Sequence, residues 1–123
     1  MTSKEKALKI AEILDSKKAQ DIRLIEIADL TIIADYFVIA TGTSSTQVKA
    51  LIDEVEYQFK QLDMLPTRTE GYPSAAWILA DYGDVVLHVF QKDTRDFYSL
   101  ERLWADGKDV TEELKALLKS KEE

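Results

Sequence analysis

His88, the single histidine of the chain, is where acid–base chemistry would have to begin. As a general base it needs a nucleophile within reach, and the hydroxyls of Ser44 and Ser45 are remote in sequence. A packed or hydrogen-bonded neutral ring requires nothing further. Asp81 and Asp84 flank Tyr82-Gly83 and could share a divalent cation, which would relieve the repulsion of directly opposed like charges. Acids beside a glycine are equally an ordinary turn composition. Asp35 reads as a strand-entry residue and not a ligand. Thr41-Gly42-Thr43-Ser44-Ser45 stands between an apolar run and an amphipathic one, a setting in which a helix N-terminus can cradle phosphate. Neither G-x-G-x-x-G nor G-x-x-x-x-G-K-[ST] is present, and a plain strand-to-helix turn uses the same residues. With no cysteine and one histidine, disulfides, thiolate chemistry and a Cys/His zinc site are excluded.

The elements that must position these groups follow from periodicity. Trp77 to Asp81 and Asp84 to Phe90 are β-prone runs separated by Tyr82-Gly83, the length of a hairpin loop. If Asp81 and Asp84 flank the turn, Trp77, Leu79 and Asp81 share a face with Asp84, Val86, His88 and Phe90. His88 then falls opposite Trp77. Ala76, Ile78, Ala80, Val85, Leu87 and Val89 form a second, wholly apolar face suited to a core. Phe97, Leu100 and Trp104 recur at helical spacing, predicting one aromatic helix with Arg95 and Tyr98 turned away from its stripe.

Upstream, Ala7, Ile10, Ala11 and Leu14 predict a helix over residues 3–17. Asp21 to Ile27 alternates as a strand, and Tyr36 to Ala40 is the continuous apolar run of a central strand covered on both faces. Val48, Leu51, Ile52, Val55, Phe59 and Leu62 predict a helix over residues 44–62, opened by a Ser44/Gln47 capping box. It should act as a right-handed crossover from Tyr36–Thr41 to the next paired strand. Thr67 to Glu70 leaves room for a short strand at most. Asp106-Gly107-Lys108 ends the aromatic helix, Asp109 to Lys119 forms a last helix carrying Leu114, Leu117 and Leu118, and residues 119–123 are a frayed tail. The order implies a single domain over residues 1–123, an α/β fold with a small mixed β-sheet and covering helices.

Composition narrows the function. The 123 residues carry 16 Lys plus Arg against 23 Asp plus Glu, a net charge of −7. That balance opposes autonomous nucleic-acid binding and docking on an anionic membrane, and suits a basic protein partner. The N-terminus lacks the pattern of a signal peptide and no run is long enough to span a bilayer, so a soluble, cytoplasmic protein is expected. Two classes of function remain. A nucleotide-binding or nucleotidyltransferase-like enzyme would use the Thr41–Ser45 loop. A binding module would use the hairpin face and the aromatic helix, whose large aromatics and arginine have the composition of a binding hot spot. The sequence has no closely spaced Asp-x-Asp pair on the strand after the loop, which metal-dependent phosphoryl transfer requires, so binding is favoured. Trp77 is open to either an exposed or a packed role, and Arg95 either to pairing with Asp96 or Glu101 or to contacting a partner beside Tyr98, whereas Trp104 belongs to the core.

The blocks Asp35–Gln47-Val48, Glu70-Gly71, Trp77–Phe90 and Arg95–Trp104 closely resemble the ribosomal silencing factor (RsfS, Iojap) family, in the family's order and over nearly the whole chain. Pro73 and Asp106-Gly107 depart from its pattern in a loop and at a helix end. The resemblance implies a nucleotidyltransferase-like fold without the catalytic carboxylates, no enzymatic activity, and no cofactor or metal. It implies docking on the large ribosomal subunit through its L-fourteen-type protein and steric obstruction of subunit joining when nutrients are scarce. By the same pattern, Trp77, Asp81 and Tyr82, then Arg95 and Tyr98, are the expected partner-binding residues. The free hydrophobic face also leaves room for a homodimer that would compete with docking.

Overall fold

The computed structural model describes residues 1–105, 107–112, 116 and 119. From the N-terminus the elements are α1 (Ser3–Ser16), β1 (Gln20–Glu26), β2 (Tyr36–Gly42), α2 (Ser45–Lys60), β3 (Arg68–Glu70), β4 (Trp77–Asp81), β5 (Val85–Gln91), α3 (Lys92–Tyr98), α4 (Leu100–Leu103) and β6 (Lys108–Asp109). Among the described residues the strands form one mixed sheet in the order β3-β4-β5-β2-β1-β6. β2 pairs parallel with β5, and the other neighbours are antiparallel. All seven residues of β2 are buried. A strand that apolar must sit between two partners and under cover on both faces.

One face is closed by two amphipathic helices. α1 opens on a Thr2/Glu5 capping box and buries Ala7, Ile10, Ala11, Ile13 and Leu14. α2 buries Val48, Leu51, Ile52, Val55 and Phe59. These pack on Val38, Ala40, Ile78, Ala80, Val85, Leu87 and Val89 as one core. Val48 comes so near the end of β2 that a Cβ on Gly42 would lie 2.8 Å from its Cγ2. Only glycine admits the helix there.

α2 connects β2 to the next paired strand, which is parallel to β2 but not adjacent to it. It carries the chain to the far edge, β3, from which β4 and β5 step back towards the centre. The arrangement follows burial. β3 is exposed at all three residues and tolerates an edge, whereas β5 is buried along six of seven and needs a neighbour on each side.

The hairpin keeps the expected faces and changes the expected pairing. Leu79 lies opposite His88 and Trp77 opposite Phe90, two residues displaced from the register centred on Tyr82-Gly83. The Tyr82 N–H donates to the Val85 carbonyl at 2.9 Å, which leaves Gly83 and Asp84 at the tip. Gly83, at φ +89°, takes the first loop position, as primed hairpin turns require. Because side chains alternate with period 2, a displacement of two leaves every residue on its expected side.

The expected aromatic helix is two helices. Ser99, at φ 47° and ψ 51°, breaks it between α3 and α4. Leu100 is buried and Trp104 meets Phe37 edge-on at 5.2 Å, but Phe97 is 81% exposed. The single apolar stripe is therefore corrected. Beyond it, Lys108-Asp109 adds a short strand to β1 that the sequence reading did not expect. Thr111, Glu112, Ala116 and Lys119 are helical, while Asp106, Leu114, Leu117, Leu118 and the tail at 120–123 lie outside the described residues.

Candidate functional site

The sheet face opposite α1 and α2 is covered unequally. Ile25, Phe37 and Ile39 lie under Leu100 and Trp104, in a second cluster that also includes Ile27, Ala34, Val86 and Phe90. The β4–β3 side of the same face is open. There Trp77 and Leu79 are half-buried, and Arg68 and Glu70, paired with Asp81 and Leu79, extend the face to the sheet edge. Glu70, Gly71, Trp77 and Leu79 line a shallow groove on this side.

An aromatic array runs across the boundary. Trp77 stacks on Phe90 with ring centroids 4.8 Å apart, leans against Tyr98 at 5.1 Å, and donates its indole N–H to His88 Nδ1 at 3.1 Å. His88 meets Phe37 edge-on at 4.8 Å. The exposed Tyr98 and Phe97 meet edge-on at 5.1 Å and stand beyond Trp77 as the outer part of the array. Such rings supply large contact area with few rotatable bonds, as protein-binding anchors do. His88 is packed and hydrogen-bonded. Burial lowers its pKa to about 4, so the ring is neutral at pH 7.

Two of the five expected contact residues are corrected by burial. Tyr82 is 6% exposed on the helix-covered side, edge-on to Phe59 at 5.0 Å, where burial and the Glu56 carboxylate push its phenol pKa up. It holds the hairpin to α2. Arg95 is 5% exposed and points inward. Its Nε donates to Glu101 Oε1 at 2.6 Å, and its Nη1 donates to both the Asp21 carbonyl and the Thr41 hydroxyl at 2.7 Å. It fastens α3 and α4 to the ends of β1 and β2. Both side chains are spent on internal contacts and present little surface to a partner. Trp77 and Tyr98 adjoin on the open face, and Asp81 stands at its edge with its carboxylate 3.6 Å from Arg68 Nε.

The alternative sites fare as follows. Asp84 binds Lys6 Nζ at 2.6 Å, and Asp81 accepts the Gly83 N–H at 2.8 Å. The two acids therefore serve separate partners and do not converge on one cation. Among the described residues no group of three or more His, Cys, Asp or Glu side chains could hold a metal. In the Thr41–Ser45 loop, the Thr43 N–H and hydroxyl both donate to Gln47 Oε1, while Ser44 Oγ accepts the Gln47 N–H at 3.1 Å. That is half of the expected capping box plus a link to Thr43. These internal bonds occupy groups a phosphate would need. The residue signal that sequence reasoning missed is Phe97, which it assigned to a helical stripe.

The site and its frame define a small mixed α/β domain whose sheet has one helix-covered face and one half-open aromatic face. The chain belongs to the ribosomal silencing factor family: residues 1–123 match the family described as "Ribosomal silencing factor during starvation". It is 42% identical over 93 residues to the ribosomal silencing factor RsfS of Bacillus subtilis, covering 76% of this chain and 79% of the relative. It is also 31% identical over 98 residues to mouse "Mitochondrial assembly of ribosomal large subunit protein 1", covering 77% of this chain and 43% of that protein. A crystal structure of a Chromobacterium violaceum protein superposes with a TM-score of 0.83 at 36% identity, covering 85% of this chain and 88% of that one. No described helix is long and apolar enough to cross a membrane.

Proposed function

We propose that the protein docks on the large ribosomal subunit through the face bearing Trp77, Leu79 and Tyr98, and blocks joining of the small subunit by occupying its place. The observation that carries this reading is the open half of the second sheet face, where a half-buried tryptophan adjoins exposed Tyr98 and Phe97. Family membership points to the ribosome, and the name of the mouse relative refers to the large subunit. The net charge of −7 favours a basic surface, and the L-fourteen-type protein of the subunit is the contact we infer. Asp81 at the edge of the face contributes to that match. The mechanism is occlusion, with no bond made or broken. A nucleotide-handling activity at Thr41–Ser45 is disfavoured by the Thr43–Gln47 bonds.

Sedimentation of the purified protein with isolated large subunits, followed by addition of small subunits, tests both steps. Co-sedimentation and a reduced yield of joined ribosomes are expected. Trp77→Ala and Tyr98→Ala should each weaken binding by about 1–3 kcal/mol while the far-UV circular dichroism stays native. Native affinity in both variants would remove this face from the mechanism.

A further inference from the structure

His88 is enclosed, 3% exposed, in a position that an apolar residue could fill. Around it stand Phe37, Trp77 and Phe90. A neutral imidazole has one N–H. Because Nδ1 accepts the Trp77 indole N–H, that proton sits on Nε2, which has no hydrogen-bond partner among the described residues. Leaving a buried donor unpaired costs stability, so this histidine is a poor choice as filler. What it supplies beyond a leucine or phenylalanine is an acceptor at Nδ1. The group it binds belongs to the half-buried tryptophan at the junction of the closed and open parts of the face.

We propose that His88 is a positioning residue for docking: its Nδ1 holds the Trp77 indole N–H and so fixes the ring in the orientation that, with Tyr98, forms the docking surface. The inference rests on the docking role of that face. Stacking on Phe90 restrains the plane of the indole but allows it to slide or turn over within the stack. The hydrogen bond selects one edge and one direction. A side chain already held in its bound rotamer loses less freedom on association, so the bond acts on affinity without touching the partner.

The test uses His88→Leu, which has no acceptor, and His88→Met, whose thioether is only a weak one, beside His88→Asn, whose side-chain oxygen can take the place of Nδ1. Two readouts are followed: the indole ¹H–¹⁵N resonance of Trp77, distinguished from that of Trp104 by Trp104→Phe, and affinity for large subunits. Loss of the acceptor should shift the Trp77 indole signal, speed its hydrogen exchange and weaken docking about three- to tenfold. His88→Asn should restore all three, and in a Trp77→Phe background His88→Leu should cause no further loss. Native docking by folded His88→Leu with the indole released, while Trp77→Ala still weakens docking, would overturn the positioning role and leave the docking face standing. If Trp77→Ala docks normally, the docking face fails and this proposal with it.

Discussion

At the scale of single residues, His88 couples packing to pH. Burial lowers its pKa from 6.5 to about 4, so the unfolded chain binds the proton more readily than the folded one between those values. Its contribution to stability is complete above pH 6.5 and is lost as pH falls towards 4, by a total of roughly 3 kcal/mol. Urea unfolding measured from pH 7 down to pH 4.5 should show this slope, and His88→Asn should flatten it relative to the native chain. Tyr82 is the complementary case of a residue whose type suggests contact and whose place is structural. With its ring against Phe59, Tyr82→Ala should cost about 3 kcal/mol in urea unfolding. At temperatures where the variant remains folded, its affinity for large subunits should be native.

Elements show why some of this was legible in the sequence and some was not. The core and open faces of β4 and β5 could be read because alternation depends on period 2 alone, and the actual register differs by two. The pairing could not, since it turns on whether the tip is Tyr82-Gly83 or Gly83-Asp84, a choice that places Tyr82 over Phe59. The break at Ser99 was hidden for another reason. Every residue from Phe97 to Arg102 is compatible with a continuous helix, and what accompanies the turn is Arg95 reaching Thr41, 54 positions earlier in the chain. Local composition cannot announce a clasp whose other half is so distant. The two positive-φ glycines offer a test of the same distinction between local and tertiary constraint. Gly83 faces open space, so Gly83→Ala should cost only the left-handed backbone penalty, about 1–2 kcal/mol. A Cβ on Gly71 would lie 2.1 Å from the Trp77 carbonyl oxygen. Gly71→Ala should therefore destabilise the fold clearly more in urea unfolding and displace the start of β4.

For the whole molecule, the net charge of −7 makes the proposed docking on a basic partner salt-dependent. Association with large subunits should weaken several-fold as monovalent salt rises from about 50 to about 300 mM, chiefly through a slower on-rate. Analytical ultracentrifugation of the native chain tests whether a homodimer forms, and Trp77→Ala should dissociate any dimer that uses the same face. The parallel pairing of β2 with β5 has a consequence for how the chain is made. β2 is apolar on both faces, and its partner on one side, β1, is already in hand when it is synthesised. Its partner on the other side begins at Val85, about fifty residues later, beyond α2 and the two outer strands. During translation, β2 must therefore wait for several seconds with one edge unpaired, at ordinary elongation rates of about 5–20 residues per second. The central strand of the finished sheet is the exposed edge of the nascent one, so the late closure of β5 against it is the step expected to be slow and aggregation-sensitive.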